Sequence, residues 1–334
     1  MKDSDLKKLI AFLKQSSGSS TVEQFETHAS WVIVTDECAL KIKKPVHFSF
    51  LDFSTLEKRK FYCEKELALN SRFSPDIYIG VVAITKSGDN FELDGEGPVV
   101  EYAVKMKRLD NTKRMDVLAE KKDIQPAQME QLAIELANFH QKTSRPQVNI
   151  SKNDLIADFD DLFGLQSKLE KIDPISLEPF KGVASSIWDM VFDRWKIRQQ
   201  KGFYIDGHGD LHARNIFLYP EKAILFDCIE FNDHFRYQDI LSELAFLAMD
   251  LEFWGLKNLA DIFIKKYNQV FPVFENEMDQ QLFLYYKMYR ANIRLKVYAL
   301  KNLETESERN ELIAYWKLMI EYLKELKLLI AKQG

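Results

Sequence analysis

The chain has 334 residues, of which 46% are hydrophobic and 29% charged, and its net charge is −5 at pH 7. This composition is that of an ordinary folded protein and argues against disorder. The net negative charge differs from the basic surface expected of a protein that binds duplex nucleic acid. The spacings of Cys38, Cys63 and Cys228 match neither a disulfide framework nor a zinc motif. Because the N-terminus is short and broken by charge, it is neither a signal peptide nor a membrane span, and we expect a cytoplasmic protein.

The N-terminal third of the chain predicts a β-rich lobe. Short apolar runs of alternating polarity, separated by turn residues, are typical of antiparallel strands. The predicted elements are a helix at residues 4–14, a polar connector at 15–20, strands at 22–25, 31–34 and 38–42, a helix at 56–73, and strands at 77–84 and 99–106 joined by a hairpin at 86–90.

From residue 125 onward the pattern is helical, with apolar residues three and four positions apart. Helices are predicted at residues 126–143, 185–200, 240–251 and 281–302. We expect His140 to be a packed structural residue and Asp239 to be the N-cap of the helix that follows it. In the last of these helices, Lys287, Arg290 and Arg294 form a cationic stripe, which suits either a solvated face or a site for an anionic group.

A narrow apolar seam is present near the C-terminus, where apolar residues repeat with gaps of four and three. Its members are Leu312, Trp316, Met319, Leu323, Leu326 and Ile330. The seam is too short for a coiled coil. We therefore expect it to dock on the body of the protein, and we predict a monomer or a weak homodimer.

The motif that carries the most chemistry lies at residues 208–215. Its sequence, HGDLHARN, fits the kinase catalytic-loop pattern H-x-D-L-x-x-x-N, and a later apolar run ends on Asp227. Phosphoryl transfer needs an Asp that orients the attacking hydroxyl, an Asn that binds Mg²⁺, and a second Asp that holds the metal at the ATP phosphates. Asp210, Asn215 and Asp227 have these types in this order. A hairpin of strand-like runs is expected to bring Asn215 and Asp227 together.

Two other interpretations of this motif are weaker. A loop rich in His and Asp whose charges merely face water does not explain the ordered set of residues with strand-like runs in the right places. A Zn²⁺ site at His208, Asp210 and His212 lacks a fourth ligand at a usual spacing.

The sequence HGDLHARN, followed by LFDCIEFND, resembles the aminoglycoside phosphotransferase superfamily, whose pattern is H-G-D-x-x-x-x-N and then an apolar strand and Asp. The resemblance extends from about residue 26 to about residue 300. More narrowly, the chain resembles an uncharacterised bacterial branch in which this domain is sometimes fused to a C-terminal P-loop domain. Because the chain has no G-x-x-x-x-G-K-[ST] motif, we expect the P-loop half to be absent. The superfamily's R-x-x-D motif, matched at residues 236–239, implies that Asp239 braces the catalytic loop.

The resemblance implies an α+β, protein-kinase-like fold with two lobes. A small β-rich N-terminal lobe, residues 1–107, is expected to bind the nucleotide. A large helical C-terminal lobe, residues 108–334, is expected to carry the catalytic residues and the substrate site.

A lysine on the third strand of a kinase-type small lobe pairs with the nucleotide phosphates, two residues after a small residue on the same face. Lys41 follows Ala39 in this way, so Lys41 is the predicted phosphate lysine, and Lys43 on the same face is the alternative. A carboxylate on the next helix must hold this lysine. Glu66 is predicted for this role because it precedes an apolar triplet as the family's helix Glu does, and Glu64 is the alternative.

The rest of the nucleotide site is less marked. Kinases cover the phosphates with a Gly-rich loop, but the corresponding ETHAS sequence at residues 26–30 contains no glycine. The resemblance suggests that the hydroxyls of Thr27 and Ser30, with backbone N–H groups, do this work. Adenine is expected to bind backbone groups near Met106, at the hinge between the lobes, which does not distinguish ATP from GTP. Glu230 is either an additional metal or substrate carboxylate or a salt-bridge partner.

Together these residues predict an ATP- and Mg²⁺-dependent kinase that phosphorylates a hydroxyl group of a small molecule. Asp210 is the predicted catalytic base, and Asn215 and Asp227 are the predicted metal ligands. The missing glycines support a second hypothesis, a nucleotide-binding pseudokinase or regulatory module. A protein kinase is disfavoured because no activation segment ending in A-P-E follows Asp227. The sequence does not identify the acceptor, and we expect neither nucleic acid nor a membrane as partner.

Overall fold

The computed structural model describes residues 3–16, 22–48, 50–88, 90–301 and 303–331. Most of the predicted connector at 15–20, and residue 89 of the predicted hairpin, lie outside these ranges. The chain divides into two compact units. The first comprises residues 1–114, 215–218 and 224–235, and the second comprises residues 115–214, 219–223 and 236–334.

The elements up to residue 107 are mostly strands. In chain order they are α1 (Asp3–Ser16), β1 (Glu23–Glu26), β2 (Ser30–Val34), β3 (Cys38–Lys43), β4 (His47–Phe48), β5 (Leu51–Asp52), α2 (Leu56–Asn70), β6 (Tyr78–Ser87), β7 (Asn90–Leu93) and β8 (Val99–Lys107). The predicted strands and helices are all present, with small shifts at their boundaries. The predicted hairpin at 86–90 joins β6 to β7 rather than to β8. Strand β7 was not predicted, because its four residues carry too short a pattern.

The later elements are mostly helices. They are α3 (Met115–Glu120), α4 (Pro126–Lys142), α5 (Lys152–Asp160), α6 (Gln166–Ile172), α7 (Val183–Gln200), β9 (Tyr204–Asp206), β10 (Ile216–Leu218), β11 (Ala223–Leu225), β12 (Tyr237–Asp239), α8 (Ile240–Phe253), α9 (Lys257–Val270), α10 (Glu277–Leu300) and α11 (Glu306–Ala331). Within the described ranges, no helix has both the length and the apolar character that crossing a membrane requires.

Six strands of the first unit form one antiparallel sheet in the order β1-β2-β3-β8-β6-β7. Leu40 and Ile42 of β3 are buried in an apolar core that also contains Leu9 of α1. Because side chains alternate along a strand, Lys41 and Lys43 lie on the opposite face of the sheet. Helix α2 packs along β6 and β8. The sheet therefore has an apolar face, covered by α1, and a face that presents two lysines.

Helix α2 buries a polar side against the sheet. It begins after Thr55, whose hydroxyl accepts the backbone N–H of Lys58, a typical N-cap contact. The buried residues are spaced by three and four positions and so share one side of the helix; they are Arg59, Cys63, Glu66 and Asn70. Arg59 pairs with buried Glu101 of β8 at 2.8 Å. Because buried charges are stable only when paired, these contacts fix the position of α2 on the sheet.

Helix α8 is the centre of the second unit. All of its residues from Ile240 to Leu251 are buried, and it packs against α9 and α10. Helix α10 packs in turn on α11, which buries the predicted apolar seam through Leu312, Met319 and Leu326. The predicted docking of the seam on the body of the protein is confirmed.

The cationic stripe of α10 is not a solvated face. Lys287, Arg290 and Arg294 are 6%, 6% and 9% exposed. Lys287 pairs with Glu252 of α8 at 2.9 Å, and Arg290 donates to the carbonyl oxygen and the hydroxyl of Ser242. Of the two alternatives that the sequence left open, the solvated face is wrong, because all three side chains are buried.

Candidate active site

The predicted catalytic loop, residues 207–214 and termed the catalytic loop below, follows β9 and is held by α8. Glu243 accepts the backbone N–H of His208, with an N–O distance of 2.5 Å, and Asp250 accepts that of Ala213 at 2.7 Å. Because these carboxylates are seven residues apart, they lie on the same side of the helix, about two turns from each other. Both ends of the loop are therefore tied to α8.

The close approach of Glu243 requires a glycine at the start of the loop. A Cβ atom at Gly207 would lie 1.8 Å from Oε2 of Glu243, far inside van der Waals contact. Gly209 has a φ angle of 86°, in the region that side chains disfavour. The two glycines let the loop lie against α8 and turn at Asp210.

Glu243 also belongs to a buried polar network. His140 of α4 is fully buried, with its Nε2 atom 3.2 Å from Oε2 of Glu243 and its Nδ1 atom 2.7 Å from the hydroxyl of Tyr267. Burial acts to raise the pKa of Glu243, but its interactions with His140 and His208 outweigh this and hold the pKa below its ordinary value. His140 has the packed position that the sequence predicts.

Asp239 caps α8, as predicted, by accepting the N–H of Leu241 at 2.8 Å. It also accepts two hydrogen bonds of 2.8 Å from the guanidinium of Arg198. The loop contacts that the R-x-x-D motif implies for Asp239 are instead made by Glu243 and Asp250. The resemblance points to the correct helix, but the carboxylates that hold the loop backbone lie within α8 rather than at its N-cap.

Asp210 lies in the middle of the catalytic loop, and its side chain is 38% exposed. Its Oδ2 atom is 3.3 Å from Nε2 of His212. Burial acts to raise the pKa of Asp210, but attraction to His212, a hydrogen bond from the same ring and the charge of Arg294 hold it well below its ordinary value. Asp210 is therefore an ionised carboxylate at neutral pH, which is the form that can accept a proton.

In the first unit, Glu66 of α2 binds two lysines of β3. Its Oε1 atom is 2.9 Å from Nζ of Lys41, and its Oε2 atom is 2.7 Å from Nζ of Lys43. Each lysine pairs with a second carboxylate from the segment after β11, Lys41 with Asp227 and Lys43 with Glu230. Of the roles left open for Glu230, the structure places it as a salt-bridge partner. These five residues are termed the lysine–carboxylate cluster.

The two lysines of this cluster differ in burial. Lys43 is 1% exposed and lies 4.7 Å from the centre of the Phe53 ring. Lys41 is 13% exposed, and its partner Asp227 is 41% exposed. Within the cluster, the Lys41–Asp227 pair is therefore the side that a ligand can reach.

The charges of the cluster stabilise one another. Burial acts to lower the pKa of both lysines, but their carboxylate partners outweigh it and raise both pKa values. Burial acts to raise the pKa of Glu66, and the attraction of two ammonium groups lowers it instead. For Glu230, burial dominates and leaves its pKa raised despite the contact with Lys43. Lys41, Lys43 and Glu66 are therefore charged at neutral pH.

Asp227 is positioned through its backbone as well as its side chain. Its φ angle is 62°, a left-handed conformation that Asp tolerates better than most residues. Its N–H donates to the hydroxyl of Tyr78 at 3.1 Å, and the N–H of Cys228 donates to Oδ1 of Asn70 at 2.8 Å. Ser74 donates to the carbonyl of Leu225 at 2.8 Å. The segment that carries the predicted metal ligand is therefore held on both sides of Asp227.

Asn215 and Asp227 flank the β10–β11 hairpin. The N–H of Phe226 donates to the carbonyl oxygen of Asn215 at 3.2 Å, and Asn215 is 6% exposed. A carboxylate and an amide oxygen are hard ligands of the kind that Mg²⁺ prefers, so this pair fits the predicted metal. Among the described residues, no three His, Cys, Asp or Glu side chains are grouped closely enough to hold a metal ion together.

The other residues predicted to contact the nucleotide, Thr27, Ser30 and Met106, lie in the six-stranded sheet or in a turn between its strands. Thr27 is in the turn between β1 and β2, where its hydroxyl accepts the N–H of Ser30 at 2.9 Å. Ser30 is 3% exposed. Met106 lies near the end of β8, paired with Ala39 and Tyr78. The hydroxyl of Thr27 thus shapes the turn itself, and the nucleotide contacts of all three residues stay predictions.

The structure brings Lys41, Glu66 and Asp227 into direct contact, whereas Glu64 is 55% exposed and lies 3.7 Å from Lys60. The carboxylates that hold the loop, Glu243 and Asp250, were not predicted from the sequence. A usable signal was present, since both lie in the mostly apolar α8 sequence ILSELAFLAMDLEF. A buried carboxylate in such a helix needs a partner.

Solved structures with this fold include several small-molecule kinases. A choline kinase from Cryptosporidium parvum aligns with a TM-score of 0.57 at 11% identity, over 98% of this chain and 97% of its own. A thermostable mutant of an aminoglycoside phosphotransferase gives 0.52 at 12% identity, over 94% and 98% of the two chains. A glucosamine kinase gives 0.51 at 13% identity, over 95% and 83%.

The chain therefore has an α+β, protein-kinase-like fold, as predicted, and shares that fold with these solved structures. Similar sequences include proteins described as uncharacterized from Mycobacterium bovis and Mycobacterium tuberculosis, each 31% identical over 283 residues. The alignment covers 81% of this chain and 53% of theirs, so the chain spans about half the length of these relatives. No protein-family model matches the chain.

Proposed function

We propose that this protein is a kinase that transfers the γ-phosphoryl group of Mg-ATP to a hydroxyl group of a small molecule. The contact of Lys41 with both Glu66 and Asp227 carries the proposal, because it unites the three residue types that hold nucleotide phosphates in kinases. The named functions of the structural neighbours, which are choline, aminoglycoside and glucosamine kinases, support a small molecule as the acceptor.

Lys41, rather than Lys43, is the proposed phosphate lysine. Both share one face of β3 and both bind Glu66. However, Lys43 is 1% exposed and enclosed by Glu230 and Phe53, whereas Lys41 faces the exposed carboxylate of Asp227. A lysine that must reach phosphate oxygens needs this access, so Lys43 is assigned to holding Glu66.

Asp210 is the proposed catalytic base. It is ionised at neutral pH and partly exposed, and its loop is tied at both ends to α8. The carboxylate would orient the acceptor hydroxyl and take up its proton as the bond to phosphorus forms. A well-placed base of this kind contributes roughly 10²–10⁴-fold to the rate.

Asp227 and Asn215 are the proposed Mg²⁺ ligands. Bound Mg²⁺ supplies charge neutralisation at the β- and γ-phosphates. The backbone contacts of Asp227 with Tyr78, and of the next residue with Asn70, hold the carboxylate in place before any ligand binds. Thr27, Ser30 and Met106 complete the proposed nucleotide site through the β1–β2 turn and the end of β8.

The release of ADP from Mg-ATP, measured with a panel of amino alcohols, sugars and aminoglycosides, tests the proposal. We expect at least one acceptor to stimulate turnover. With that acceptor, Asp210→Asn should lower kcat by roughly 10²–10⁴-fold and leave binding of a non-hydrolysable ATP analogue intact. Asp193→Asn is the matched control, because the side chain of Asp193 is 93% exposed and its loss should leave kcat unchanged.

Two outcomes would contradict the proposal. Unchanged turnover of a true acceptor by Asp210→Asn would remove Asp210 from the reaction. Binding of Mg-ATP without phosphorylation of any acceptor would favour the alternative, a nucleotide-binding module, which the glycine-free turn at Thr27–Ser30 suggests.

A further inference from the structure

The tautomer of His212 is determined by its contacts in the catalytic loop. Its ring is 7% exposed, and its Nδ1 atom accepts the backbone N–H of Arg214 at 3.2 Å. In a neutral imidazole, the nitrogen that accepts a hydrogen bond carries no proton, so the proton is on the other nitrogen. That nitrogen, Nε2, is 3.3 Å from Oδ2 of Asp210. His212 therefore points an N–H group at the carboxylate of Asp210.

One further contact holds the ring of His212 in this orientation. It packs against Phe246 of α8, with the ring centres 5.5 Å apart. The loop also contains a second histidine with the same backbone contact, since Nδ1 of His208 accepts the N–H of Asp210 at 3.4 Å. Each histidine thus accepts the N–H of the residue two positions later, which fixes the backbone on both sides of Asp210.

We infer that His212 is a positioning residue for Asp210, because its Nε2–H group donates to Oδ2 and holds the carboxylate in one orientation. The inference deepens the proposed function and rests on it for the role of Asp210 in the reaction. His212 itself acts through Asp210 and is assigned no contact with the substrate.

The hydrogen bond has a predictable effect on the proton affinity of Asp210. Other charged or titratable groups that face this carboxylate include His208 in the loop and Arg290 and Arg294 of α10. All of these remain when only His212 is replaced. Since a donor stabilises the ionised form of its acceptor, removing the donor should raise the pH at which Asp210 takes up a proton.

Carbon-13 titration of the side-chain carboxyl of Asp210 in the full-length protein tests the inference. The resonance is identified by its absence in Asp210→Asn. His212→Phe keeps a ring against Phe246 but removes the donor, and it should raise the titration midpoint by about one to two pH units. His212→Gln restores an N–H donor and should recover most of the shift. His234→Phe, at an exposed histidine, should leave the midpoint unchanged.

An unchanged midpoint in His212→Phe would overturn the inference. The tautomer of wild-type His212, read from long-range proton–nitrogen correlation spectra, provides a second test that needs no variant. We expect the Nε2–H form, and the Nδ1–H form would overturn the inference even if His212→Phe did not fold.

These measurements do not depend on phosphoryl transfer. If the titration shifts as expected but no acceptor is ever phosphorylated, the positioning of Asp210 stands and the proposed function fails. If the protein is an active kinase, His212→Phe should lower kcat while the KM for Mg-ATP stays unchanged. An equal kcat in the two proteins would exclude a positioning role in the reaction.

Discussion

Asp250 accepts the backbone N–H of Ala213 from a position seven residues beyond Glu243, which accepts that of His208. One face of a buried helix thus determines where the catalytic loop begins and ends. Glu243 and Asp250 therefore hold the backbone of the loop, and neither carboxylate needs to contact a substrate.

Removing the carboxylate of Asp250 should destabilise the protein and disorder the end of the loop. Asp250→Ala leaves the buried N–H of Ala213 without its acceptor, which costs about 1–3 kcal/mol of unfolding free energy. Asp250→Asn keeps an acceptor oxygen and should lose less. Urea unfolding of both variants measures the difference, and equal stability of Asp250→Ala and wild type would contradict the assigned contact.

A methyl group at Gly207 should not be accommodated. Gly207→Ala places Cβ 1.8 Å from Oε2 of Glu243, so the loop or α8 must move, at a cost of about 1–3 kcal/mol or more. Gly164→Ala is the matched control, because a Cβ atom there meets no heavy atom within 4 Å. Thermal unfolding compares the two, and the idea fails if both substitutions are equally neutral.

Lys41 and Lys43 should respond differently to the same substitution. Lys43→Met leaves the buried carboxylates of Glu66 and Glu230 with less compensation, and breaking a buried ion pair costs about 3–5 kcal/mol. Lys41→Met should lose less stability but abolish the tight binding of an ATP analogue. Urea unfolding and calorimetric titration distinguish them. The opposite pattern would exchange the roles of the two lysines.

If the protein is the proposed kinase, its activity should not depend on protonation of Asp210 in the neutral range. The pKa of Asp210 lies below its ordinary value of 3.8, because attraction to His212 and Arg294 outweighs the effect of burial. A carboxylate with a lowered pKa stays ionised until the pH falls through the lowered value. We therefore expect no loss of kcat/KM from this group between about pH 8 and about pH 5.

The lowered pKa of Asp210 also makes the free energy of unfolding depend on pH. The lowered pKa of Asp210 contributes stability that is present above pH 3.8 and is lost as the pH falls through the lowered value. An acid limb of kcat/KM between about pH 5 and pH 8 that shifts in His212→Phe would place the pKa of Asp210 too high for this account.

The two-lobed fold and the pairing of Glu66 with a lysine were predicted from the family resemblance. The positions of the strands and helices were predicted from local patterns, and strand alternation puts Lys41 and Lys43 on one face. The same alternation cannot tell the two lysines apart, since residues two positions apart are equivalent in a strand. Their difference arises from Glu230 and Phe53, which reach Lys43 from other parts of the chain.

The support of the catalytic loop could not be predicted for a related reason. Glu243 and Asp250 follow His208 and Ala213 by 35 and 37 positions, and nothing in the local sequence links them. The resemblance directed attention to Asp239, which binds Arg198 instead. The pattern of an apolar helix shows that its carboxylates must be paired, but not with which group.

The sharing of Glu66 between two lysines has a consequence for how the protein can be controlled. Swinging α2 away from the sheet would strip both ammonium groups of a counterion in one movement, and Glu230 would keep Lys43 from following. A conformational switch that moved α2 would have to break both ion pairs of Glu66 each time it operated. The contact between α2 and the two lysines of β3 is therefore expected to persist whether or not a nucleotide is bound.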